Sequence, residues 1–76
     1  MSKLVTMLRK SAEADKAKAL LSLELLDKKA VGIGDHSTED FYKNAEEALE
    51  LLSSAIDRLE ALEYYENQDS NKELLT

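Results

Sequence analysis

The stretch with the most chemical capacity is Gly32-Ile33-Gly34-Asp35-His36-Ser37, which lies just ahead of a strongly periodic segment. A helix start presents free backbone N–H groups, and these attract anions. The stretch lacks the preceding strand and the longer glycine pattern of a nucleotide loop. Asp35 would also repel a phosphate. It therefore reads as a turn between helices, with glycine as a left-handed cap and an apolar residue closing it. His36 is the chain's single histidine. With Asp35, Glu39 and Asp40 it has the side-chain types that hold a divalent cation or move a proton. His36 and Asp40 are four apart, the spacing that shares one helix face. But His36 precedes Ser37, the expected N-cap, so helical geometry does not reach it. One histidine among solvated carboxylates is a poor donor set. It reads as a surface histidine packing on Phe41 or Tyr42.

Other chemistry finds less support. Metal sites in helical bundles use inward Glu residues together with Glu-x-x-His pairs. The chain holds no such pair. Glu47 with Glu50, and Glu60 with Glu63, have the spacing for carboxylates alone; Glu46, Glu47, Glu50 and Glu60 lie off the seam on a solvated acidic face, and Glu63 is nearer it but close to the helix end. Ser53 and Ser54 are mid-helix hydroxyls with no histidine near them in sequence, so nucleophilic catalysis has no base. The reading is of a non-enzyme without metal or cofactor. Tyr42, Tyr64 and Tyr65 are a candidate partner patch, since tyrosine is enriched at interfaces. The simpler reading has their rings capping a core with the hydroxyls in water.

The elements that carry these residues are helical. The chain has 76 residues, no proline, no cysteine and two glycines. Leu, Ala, Glu and Lys dominate, a composition of helices. At this length a lone core is marginal, and without cysteine neither disulfides nor thiolate metal sites reinforce it. Oligomerisation is the remaining remedy. The formal net charge of -6 disfavours nucleic acid and anionic membranes. The charge is uneven: residues 1–30 hold seven Lys or Arg against four Asp or Glu, and residues 31–76 hold three against twelve. Helices of opposite sign attract, within a hairpin or across a dimer. No segment reaches the ~20 apolar residues of a membrane span. Residues 1–10 are basic, but no apolar run follows before Glu13 and Asp15. The expected setting is the cytoplasm, with no membrane contact.

The strongest periodicity covers residues 41–62. Phe41, Ala45, Ala48, Leu52, Ala55, Leu59 and Leu62 are spaced by alternating steps of four and three, a coiled-coil seam. Tyr42, Leu49 and Ile56 widen it on one side. Glu46, Glu47, Glu50, Asp57 and Glu60 lie outside it. The first helix is expected over about 3–30, on a stripe of Met1, Val5, Leu8, Ala12, Ala19, Leu23, Leu26 and Ala30. Heptad spacing from Ala12 lands on Asp15 or Lys16, so the seam is thin there and the small alanines let a facing helix approach closely. A second stripe, Met7, Ala14, Leu21 and Leu25, lies on another side, and Leu20 adds to the apolar surplus. A loop over about 31–37 follows, capped by Gly32, with Ile33 turning back onto the core. Ser37 is the expected N-cap of the second helix, with Asp40 three residues on. That helix is expected over about 38–66. Residues 67–76 are expected to form a poorly ordered, flexible tail.

The expectation is all-α: an antiparallel two-helix hairpin over residues 1–66 that dimerises into a four-helix bundle. Its expected interface comprises Val5, Leu8, Leu23, Leu26, Phe41, Leu49, Leu52, Ile56, Leu59 and Leu62. The main partner is a second copy, and another protein is the expected client. In length, hairpin plan and seam, the chain resembles the small plasmid-encoded RNA-binding hairpins of the Rop type. That resemblance implies a dimeric bundle and, as an alternative role, RNA binding by the first helices. No residues carry over from it. Lys3, Arg9, Lys10, Lys16, Lys18, Lys28 and Lys29 do not share one face, and no aromatic residue interleaves them for base stacking. A carboxylate metal site within the bundle is the other alternative.

Overall fold

The computed structural model describes the backbone of residues 2–32 and 39–75 and the side chains of residues 2–30 and 39–68. Two helices account for nearly all of this. Helix α1 spans Lys3–Gly32 and helix α2 spans Glu39–Leu75. They pack against each other along a rod with extents of 62 × 18 × 16 Å.

Ser2 starts α1. Its hydroxyl accepts from the Val5 N–H at 3.0 Å, and its carbonyl accepts from the Thr6 N–H at 3.1 Å. A serine cap satisfies one of the free N–H groups of the first turn. At the other end α1 runs two residues past Ala30 and takes in Gly32. The left-handed cap expected at Gly32 is therefore corrected: no glycine among the described residues has a positive φ. A helical glycine costs only about 1 kcal/mol relative to alanine, which a long helix tolerates in its last turn. The rest of the expected turn, including Ile33, Gly34, Asp35, His36 and the cap at Ser37, lies outside the described residues.

Helix α2 opens with Glu39 and Asp40 in its first turn, where carboxylates suit the positive end of the helix dipole. It continues to Leu75, well beyond the end expected near Glu66. The helix end expected near Glu66 is thus corrected: the backbone is helical as far as Leu75. Asn67, Asp69, Ser70 and Asn71 are only modest helix formers. But nothing in that run is a glycine or proline, and extending an existing helix costs far less than nucleating one.

Two ion pairs set the antiparallel register. Arg9 near the start of α1 pairs with Glu66 late in α2, and Arg58 donates to Asp15 at 2.8 Å. Between the two helices runs a core of small residues. Ala12, Ala19 and Ala55 are 0% exposed, and Val5 and Ala48 are buried. Val5, Ala12 and Ala19 are seven apart, as are Ala48 and Ala55. This matches the close approach expected at Ala12 and Ala19. Every residue of the α2 seam, from Phe41 to Leu62, is buried or half-buried as the spacing predicts. No large side chain is fully buried among the described residues. The alanines take the line of closest contact, and the leucines stand beside it.

Candidate interaction surface

Measured from the alanine line at about 100° per residue, the flanking residues fall on two sides. Lys16, Leu20, Leu23 and Asp27 of α1 lie on one side, with Phe41, Ala45, Leu49, Leu52, Ile56 and Leu59 of α2. Leu4, Leu8, Ser11, Asp15, Lys18, Ser22 and Leu25 lie on the other, with Asn44, Glu47, Leu51, Ser54 and Arg58. The packing agrees. One groove of about 530 Å³ joins Leu23, Glu24, Leu26, Asp27 and Ala30 to Phe41 and Ala45. A second, of about 430 Å³, joins Lys18, Ser22, Leu25 and Leu26 to Asn44, Glu47, Ala48 and Leu51. The Asp15–Arg58 pair spans the same side as the second groove.

The two faces differ in chemistry. The first is apolar along α2 and at its centre, with Leu20 49%, Leu49 58% and Ile56 38% exposed, and its α1 edge carries Lys16, Glu24 and Asp27. The second is interrupted by serines, by Lys18 and Glu47, and by the Asp15–Arg58 bridge across its middle. Exposed bridges of this kind contribute about 0.2–1 kcal/mol, so they select register more than they stabilise. Within α1, Lys28–Glu24 at 3.1 Å and Lys10–Glu13 at 4.0 Å are surface pairs along the helix.

Of the expected interface residues, Leu23, Phe41, Leu49, Leu52, Ile56 and Leu59 come together on the apolar face. Val5 is buried inside the hairpin and Leu62 is half-buried on the seam. Leu8 lies on the side of the second face and is exposed. Leu26 is half-buried near the seam and lines both grooves. The three tyrosines are not brought together. Tyr42 is near the start of α2, and Tyr64 and Tyr65 stand some six turns further along it, about 33 Å away. All three are exposed. Tyr42 meets the neighbouring Phe41 edge-on, with ring centroids 5.9 Å apart and planes at 83°.

Sequence periodicity marks Asp15 only as a flaw in the α1 seam and does not pair it with Arg58, the residue with which it closes the second face. The signal was Arg58 itself, the one arginine of the acidic half. Along the outer side of α2, Glu39, Glu46, Glu47 and Glu50 with Tyr42 and Lys43 line a shallow acidic groove. Among the described residues no group of three His, Cys, Asp or Glu side chains is placed to hold a metal ion. Among the same residues no helix is long and apolar enough to cross a membrane. No family model, curated protein or solved structure matches the chain.

Proposed function

We propose that the chain is a non-enzymatic, self-associating protein: two hairpins pair into a four-helix bundle, and the bundle acts as an accessory or regulatory module by binding another protein. The observation that carries the first step is the composition of the core. The fully enclosed side chains are alanines, while Leu20, Leu49 and Ile56 of one continuous face stay in water. Alanine burial releases little surface, and a contiguous apolar face on a small domain marks an interaction site. A second copy would supply the large-residue core that one hairpin lacks. Binding of a further protein is supported by what pairing leaves outside, the acidic outer side of α2 lined by Glu39, Glu46, Glu47 and Glu50.

Light scattering against concentration tests the self-association. A dimer mass is the expected result, and a monomer throughout the micromolar range overturns it. Affinity capture from the native host tests the client role. Recovery of a stoichiometric protein partner that binds the purified dimer supports it, and recovery of the chain alone overturns it.

A further inference from the structure

The apolar face has an internal symmetry. On α1, Lys16, Leu20, Leu23 and Asp27 are arranged evenly about the point between Leu21 and Ser22. Lys16 and Asp27 are eleven residues apart, about three turns, so they share a line on the helix with the two leucines between them. On α2, Leu49 and Ile56 are arranged evenly about the point between Leu52 and Ser53, with Tyr42 and Glu63 further out about the same point. The hairpin's register brings the two points level. Six residues on from Asp15 is Leu21, and six back from its partner Arg58 is Leu52. Arg9–Glu66 gives the same level to within a turn.

A two-fold axis lying in the interface through both points turns this pattern onto itself. Leu20 then meets Leu23 of the second copy, and Leu49 meets Ile56. Lys16 meets Asp27 twice over, and the Tyr42 hydroxyl comes to Glu63, where it can donate. Like charges do not meet along this line: Glu46, Glu50 and Asp57 face away from it, and the acids on this side, Glu24 and Glu63, fall level with Ala19 and Tyr42 of the second copy. Lys16 and Asp27 are both exposed and make no ion pair or hydrogen bond among the described residues. Their opposite charges remain available to a partner. The alternative stacking, α1 over α2 of the second copy, leaves Asp27 level with residues 45–49, whose facing edge holds no cation.

We infer that the second copy docks antiparallel on the Leu20, Leu23, Leu49 and Ile56 face, α1 against α1 and α2 against α2, with Lys16 of each copy paired to Asp27 of the other. This rests on the self-association proposed above and specifies its geometry. The second face, crossed by the Asp15–Arg58 bridge, stays outside the dimer.

The test is a charge swap read by sedimentation equilibrium at low salt, with helicity checked by circular dichroism. Both positions are at the surface of the hairpin, so the variants K16D, D27K and K16D/D27K leave its core untouched. Each single variant sets two like-charge contacts into the dimer and raises its dissociation constant by about threefold to thirtyfold. The double variant restores it to within about threefold, and 0.5 M salt levels all four proteins. A wild-type chain that stays monomeric removes the self-association reading and this geometry with it. A wild-type dimer in which K16D weakens association, D27K does not, and the double fails to recover keeps self-association and overturns the antiparallel pairing. Silent singles overturn it as well.

Discussion

Truncating Leu49 measures how much the apolar face contributes. In the hairpin alone Leu49 keeps 58% of its surface exposed. Full burial of a leucine is worth about 1.5–3 kcal/mol. Covering the exposed part is then worth about 1–1.7 kcal/mol, and a two-fold interface uses the residue twice. Since alanine retains one methyl, Leu49→Ala should weaken the dimer by about 2–3 kcal/mol, a rise of about 30- to 150-fold in its dissociation constant. Sedimentation equilibrium over a concentration series measures this directly. Leu21→Ala is the matched control. Leu21 is 57% exposed, but lies nine residues from Ala12, on the side of α1 turned away from α2 and from the apolar face. It should change association by less than about threefold. Helicity per residue above the association midpoint should be the same for both variants. The reasoning fails if Leu21→Ala weakens the dimer as much as Leu49→Ala does, or if Leu49→Ala stays within threefold of the wild type.

Four further outcomes follow from the packing. Ala55→Leu puts a large side chain where exposure is 0% and the helices are closest; overpacking by about 1–3 kcal/mol should lower the thermal midpoint by roughly 5–20 °C in a calorimeter. Leu52→Asp places a charge in the centre of the seam and should abolish association or folding in scattering and circular dichroism, while Glu47→Lys on the solvated side should be nearly silent. A double-mutant cycle on Asp15→Ala and Arg58→Ala, read by urea denaturation, should give a coupling below about 1 kcal/mol, since both side chains remain more than a third exposed. Ser70→Pro should shorten α2 and reduce helical ellipticity with little change in the thermal midpoint, because among the described residues the ion pairs and buried alanines lie at or before Glu66.

The hairpin was legible because its two periodicities are strong and its composition offers no competing structure. The steps of four and three from Phe41 to Leu62 predicted a seam that the packing buries or half-buries throughout. The ends were less legible. Gly32 carries the usual mark of a helix stop, yet the helix includes it. Residues 67–71 lack apolar period, yet the backbone stays helical through them, because loss of amphipathicity removes a reason to pack without removing the helix. The interaction face was half legible. Leu49 and Ile56 were visible as surplus to a single seam. The division of the flanks into an apolar face and a bridged one depends on register, and register comes from Arg9–Glu66 and Asp15–Arg58. Those contacts join residues far apart in the chain, so neither helix's own pattern contains them.

The alanine core and the exposed leucines are one feature seen from two sides. Helices pack closely only where small residues line the contact, and Ala12, Ala19 and Ala55 provide that line. Close approach leaves no room between the helices for the larger side chains. Leu20, Leu49 and Ile56 are therefore displaced to the edges, and Leu23, Leu52 and Leu59 are left only half-covered. Replacing the alanines with leucines would widen the hairpin and enclose more apolar surface within one chain. It would also reduce the apolar face left exposed at the hairpin's edge. A core of small residues thus gives up burial within the hairpin and leaves a face of larger apolar side chains exposed. In the hairpin alone, the large apolar side chains on that face stay at least partly in water.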